Sequence, residues 1–137
     1  MLDVARYDVF SLGLAMIEGD AARLVRMLDG LKGEGAAPPM ALWSLSEEIR
    51  AIGRVLAGIE SGRPLGQLWR EAKVWGVPHQ NLMQQNLRRF NAAQVTRALR
   101  HAAAIDRMVK GLAKGDVWDE LLQLALRFAR IPVARAH

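Results

Sequence analysis

Side chains able to do chemistry are few in this chain and widely spaced. Cysteine is absent, which removes thiolate nucleophiles, disulfides and cysteine metal sites. The histidines His79, His101 and His137 stand far apart. None has a second histidine or a carboxylate at ligand spacing, so no metal site is expected. His79 follows Pro78 at a predicted helix start and is expected to be exposed, while His101 is expected to be solvated or partly packed on a helix flank. Glu47 and Glu48 are adjacent, so their side chains diverge around a helix and cannot form a paired-carboxylate site; ion pairs with neighbouring arginines are expected instead. Asp116, Asp119 and Glu120 cluster where a helix should begin, and a capping role beside the macrodipole accounts for them.

Phosphate-binding signals also fall short. A P-loop needs glycines that let backbone N–H groups surround phosphate, then Lys and Ser/Thr. Gly111 to Gly115 places a lysine before a glycine, and no hydroxyl follows. Gly33-Glu34-Gly35 lacks the third glycine of a dinucleotide fingerprint and follows a helix rather than a strand. Both read as turns, so no cofactor and no catalytic residue is expected. The net charge of +5 invites nucleic acid or an acidic partner. Arg100, Arg107, Lys110 and Lys114 recur at helical spacing and would suit a phosphate backbone, although charge alone favours a solvated helix face. A helix-turn-helix around Phe90 and Asn91 is a weak reading, since short helical turns occur throughout helical proteins. Trp43, Trp69 and Trp118 are expected to be core or interface anchors. Trp75 lies in a break between predicted helices, between Val74 and Gly76; it is expected to cover a helix end, and if exposed it would be a platform for a base or a partner.

The elements that must position these residues are helices. The chain has 137 residues, 51% of them hydrophobic and 24% charged, with one Tyr and three Phe. That is the size of one domain, built from straight-chain helix formers. A first helix is predicted from about Tyr7 to Ile17, and a second from the Asp20 cap through Leu31. A loop is predicted over 32–37 and a third helix from Pro38, with Leu42, Leu45, Ile49, Ile52, Leu56 and Ile59 as its apolar seam. The Ser44-x-x-Glu47 capping pattern falls inside that helix and is accidental. Short helices are predicted over about Leu65–Lys73 and His79–Phe90. A long one to about Leu112 opens on the Asn91/Gln94 capping box, with Val95, Leu99, Ala102, Ile105 and Val109 on its apolar face. The last, Val117 to about Arg130, buries Leu121, Leu124 and Phe128. The expected architecture is all-α, a compact bundle of about seven helices over 7–130, with 1–6 an N-terminal segment or expression remnant and 131–137 a frayed tail. No signal peptide is visible and no apolar run nears the roughly 20 residues of a membrane span, so a cytoplasmic protein without a membrane partner is expected.

Taken in order, several runs resemble the C-terminal collar domain of the delta subunit of bacterial DNA polymerase III clamp loaders. They are Tyr7-Asp8-Val9-Phe10, Glu18-Gly19-Asp20, Leu42-Trp43-Ser44-Leu45 with Glu47-Glu48-Ile49-Arg50, Val74-Trp75, Leu87-Arg88-Arg89, Asp106 with Lys110-Gly111, and Val117-Trp118-Asp119-Glu120-Leu121. No single run is diagnostic; their order and spacing carry the likeness, from about residue 3 to residue 129.

The resemblance implies a collar (post-AAA+ oligomerisation) domain that joins equivalent domains of the clamp-loader ATPase subunits and of delta-prime in a five-membered ring. That ring holds the loader together while it places the sliding clamp on primed DNA. The parent family belongs with the DNA-directed DNA polymerase holoenzyme, a nucleotidyltransferase, but the collar itself has no catalytic site. The sliding clamp is met through N-terminal AAA+-type domains that these residues do not contain, so a fragment of a longer protein is expected. Weak primer–template contact is expected, with Trp75, Lys110 and Lys114 as its candidate residues. The alternatives are a free-standing basic helical nucleic-acid-binding domain and, more weakly, a bundle enclosing a small ligand.

Overall fold

The computed structural model describes the backbone of residues 2–132 and the side chains of residues 9–132. Among these are seven α-helices and one 3-10 turn: α1 (Leu2–Glu18), α2 (Ala21–Gly33), α3 (Pro38–Glu60), α4 (Leu65–Glu71), α5 (Val77–Asn86), the 3-10 turn Leu87–Arg89, α6 (Ala92–Val109) and α7 (Val117–Ala129). The described residues contain no strand. The chain is an all-α bundle.

Local signals set most of the boundaries. Asp20 accepts from the Arg23 N–H at 3.0 Å and Asp116 from the Asp119 N–H at 3.1 Å. Asn91 and Gln94 form a reciprocal capping box, each backbone N–H donating to the other side chain at 2.9 Å. Each such cap contributes about 1 kcal/mol. Pro38 and Pro39 open α3, where the first-turn N–H groups need no intrahelical partner.

Other boundaries differ from expectation. Helix α1 begins at Leu2 and not near Tyr7, and it runs to Glu18. Helix α2 extends to Gly33, which shortens the loop to 34–37. The stretch expected as one helix over 79–90 starts earlier, at Val77, and breaks at Asn86, whose side chain donates back to the Leu82 carbonyl at 2.8 Å. Helix α6 stops at Val109, because Gly111 (φ +75°) turns the chain into a left-handed cap before Leu112. Ile131 does not fray: it packs half-buried against the core, and its carbonyl is held by Arg89. The rest of the expected tail, 133–137, lies outside the described residues.

Helix α3 is central and packs against α1, α4, α6 and α7. Its seam residues Leu42, Leu45, Ile49 and Ile52 are buried, whereas Ile59, at the drifting end of the repeat, is 44% exposed. Phe10 meets Trp43, and Gly13 lies against Glu48, so α1 and α3 run parallel. His101 meets Glu120 and Gly115 lies against Met108, so α6 and α7 run antiparallel.

Arg89 ties one end of the bundle together. Its guanidinium donates to the carbonyls of Ile17 (2.6 Å), Ala129 (2.6 Å) and Ile131 (2.8 Å), and to Asn86 Oδ1 at 3.0 Å. The first two carbonyls belong to the C-terminal turns of α1 and α7, where a cation satisfies orphan acceptors and complements both dipoles. Burial pulls the Arg89 pKa below the ordinary arginine value through desolvation. The group still stays protonated, since arginine is not deprotonated in proteins.

Candidate functional site

The break between α4 and α5 is the most exposed aromatic feature of the described surface. Helix α4 ends with the Lys73 N–H donating to Arg70 O (3.2 Å) and the Val74 N–H to Trp69 O (2.8 Å). This is the paired-bond pattern of a Schellman cap, with Lys73 in the left-handed position at φ +60°. Val74 is fully buried, and its carbonyl accepts from Gln80 Nε2 at 3.0 Å. The next residue, Trp75, is therefore directed outward and is 64% exposed, as is Val77. The expectation that Trp75 covers a helix end is corrected. The anchor at that point is Val74, one residue earlier, and the ring is left to solvent.

The two lysines expected to share a DNA contact with Trp75 are not joined to it. Lys110 caps α6 and its Nζ lies 2.7 Å from Asp106 Oδ2, an i,i+4 pair that offsets part of its charge. Lys114 is exposed in the α6–α7 turn and has no ion pair among the described residues. No hydrogen bond or ion pair among the described residues links either lysine to the Trp75 turn.

What the fold brings together instead is a cleft of about 280 Å³ between α1, α3 and the Lys73–Val74 turn. Phe10 and Trp43 form its exposed wall, edge to face with ring centroids 6.2 Å apart, and are 54% and 53% exposed. At the floor, His79 Nε2 donates to Glu48 Oε2 at 2.9 Å. Glu48 is buried because α1 offers a glycine there: a Cβ on Gly13 would lie 2.9 Å from the Glu48 Cβ.

Several sequence expectations are corrected here. Glu48 pairs with His79 and not with an arginine, and His79 is half-buried; Glu47 does pair with Arg50, at 3.6 Å. Glu120 does more than favour the α7 dipole, since it accepts from His101 Nε2 at 2.8 Å. Of the tryptophans expected as core or interface anchors, Trp69 is a core residue, Trp118 packs half-buried beside the core, and Trp43 is exposed, the interface alternative. Each histidine–glutamate pair clips two helices together, His79–Glu48 across 31 positions and His101–Glu120 across 19. Among the described residues, no three His, Asp or Glu side chains converge as a metal site, and no helix is long and apolar enough to cross a membrane.

Spacing alone could not reveal the Glu48–His79 pair, because it depends on how α5 returns over α3. A signal for Trp43 was present: it sits one residue off the Leu42–Leu45–Ile49 seam, which turns it about 100° away from the core. In comparisons with known proteins, no family model and no curated protein matches the chain.

Proposed function

We propose that this chain is a collar-type assembly domain of a clamp-loader delta subunit, non-catalytic in itself, which adds a sequence-tolerant contact to primer–template DNA. The observation that carries the DNA part is Trp75, an exposed indole held outward by a buried neighbour. A ring presented this way is pre-organised for stacking, and every base offers a face to it. The assembly part rests on the ordered set of resembling segments and on an all-α bundle with exposed apolar residues (Phe10, Met40, Trp43 and Val77) that a neighbouring domain would cover.

The test is assembly followed by DNA binding. Mixed with bacterial clamp-loader ATPase subunits and delta-prime, the chain should co-elute with them in size-exclusion chromatography. Trp75→Ala should leave that co-elution intact and weaken primer–template binding by about 1–3 kcal/mol, and Lys114→Ala should weaken it less and reduce its salt dependence. Failure to co-elute removes the collar reading. The exposed Arg100 and Arg107 on α6 favour a second reading, a free-standing nucleic-acid-binding domain. Strong, salt-sensitive DNA binding by the chain alone, unaffected by Trp75→Ala, would select it.

A further inference from the structure

A separate cleft of about 190 Å³ lies between α6 and α7 and shares no lining residue with the one beside Trp43. Its floor is apolar: Ala98, Leu124, Phe128 and Ile131. Arg97 and Arg127, both exposed, stand on its two helices. Among the described residues neither guanidinium has a carboxylate within ion-pair distance. Arg127 is in the last turn of α7, where the helix dipole favours a cation. Arg97 is in the second turn of α6, where the dipole does not favour one, so helix electrostatics leave it without a role. His101 also lines the cleft, but Glu120 already holds its Nε2, and its Nδ1 is buried out of a ligand's reach.

We propose that this cleft is a docking site for an acidic peptide. One large apolar side chain of the peptide rests on the floor, and carboxylates flanking it meet Arg97 and Arg127. The volume suits this, since about 150 Å³ is enough to hold a benzene-sized group. Guanidinium forks match carboxylates in charge and in planar, bidentate geometry. A nucleic-acid strand fits less well, because base stacking needs an exposed ring face. Phe128 is 2% exposed, and one face of its ring is covered by Phe90, stacked at 4.6 Å between centroids. This proposal stands independently of the collar reading, because it rests on residues that reading does not use.

The probe is a dye-labelled synthetic peptide, acetyl-Asp-Glu-Phe-Asp-Glu-amide, titrated with the whole chain in fluorescence anisotropy, with its Asn/Gln analogue and an oligothymidylate as competitors. The acidic peptide should bind with a Kd below about 1 mM and weaken as salt rises, and the neutral analogue should compete poorly. Arg97→Gln and Arg127→Gln, both surface changes, should each weaken binding about three- to fivefold. Ala98→Met should abolish it by filling the floor, with circular dichroism confirming the helical fold. The proposal is overturned if the chain does not bind the peptide below about 1 mM, if both glutamine variants bind like the parent, or if a folded Ala98→Met variant still binds. It is overturned equally if oligothymidylate binds more tightly with the same arginine dependence, which would make the cleft a nucleic-acid groove.

Discussion

Two turns of this molecule end their helices with the same hydrogen bonds and yet differ in how firmly they are held. After α4, Lys73 takes the left-handed position and Val74 closes the cap onto Trp69 O; after α6, Gly111 takes it and Leu112 closes onto Arg107 O at 2.8 Å. The difference lies in the residue that closes each cap. Val74 is fully buried, whereas Leu112 is 63% exposed, and residues 110–116 are all exposed. A cap whose closing side chain enters the core fixes the position of the next residues in the chain, and a cap without that anchor only stops a helix. Trp75 therefore stands on a turn anchored by a buried side chain, and Lys114 stands on one whose residues 110–116 are all exposed.

The largest expected effect comes from removing the anchor. Val74→Ala should cost about 2 kcal/mol, as lost transfer energy plus a small cavity. Leu112→Ala should stay within about 0.5 kcal/mol, as exposed substitutions do. Urea unfolding with equal m-values for both variants measures the contrast. Equal costs would mean that the two turns are anchored alike and the distinction is wrong.

The elements entered after each turn give a second contrast. Helix α5 packs mainly on α1 and is clipped to α3 by His79–Glu48; α7 packs on α1, α2, α3 and α6 besides its His101–Glu120 pair. Glu48→Ala leaves the His79 donor half-buried without that partner and should cost about 1–2 kcal/mol. Amide hydrogen exchange should rise across 77–86 in that variant, while Glu120→Ala should leave the centre of α7 protected. Matching exchange in the two helices would show that the glutamate clip adds nothing to the holding of α5.

These contrasts also mark what the sequence made legible. Four helix starts were readable because caps are local: Asp20, Pro38, Asn91 with Gln94, and Asp116 each act within a turn of themselves. The seam of α3 was readable because it repeats. Features that depend on a return of the chain were not. The Glu48–His79 clip needs α5 laid over α3, and the Arg89 tie needs the ends of α1 and α7 side by side, so no spacing announces either. Trp75 shows the limit within a single turn. Its place in a break was clear, but which of two adjacent apolar residues enters the core was decided by the cap on Lys73, and Val74 took that position.

Lys73 offers a smaller and opposite change. A non-glycine residue in the left-handed region costs roughly 1–2 kcal/mol, part of which glycine gives back in the entropy of the unfolded chain. Lys73→Gly should therefore stabilise the fold by about 0.5–1 kcal/mol, measured as a raised thermal midpoint. A lowered midpoint would mean that the lysine side chain makes a contact worth more than the backbone strain.

The smallest expected change sharpens the comparison at the second turn. Asp106 lies one helical turn before Lys110, the favourable order for an i,i+4 pair near a helix C-terminus. Because both side chains are exposed, Asp106→Asn should cost only about 0.3–0.5 kcal/mol of stability. Its effect on DNA should be of opposite sign. On the collar reading proposed above, removing a carboxylate 2.7 Å from the Lys110 ammonium frees that cation to meet phosphate and removes a repulsion, so a loader containing this variant should bind primer–template about twofold more tightly at low salt, with the gain fading as salt rises. An affinity unchanged at every salt concentration would place Lys110 away from the DNA path. The proposed contact would then rest on the Trp75 turn, and the turn after α6 would serve only to connect two helices.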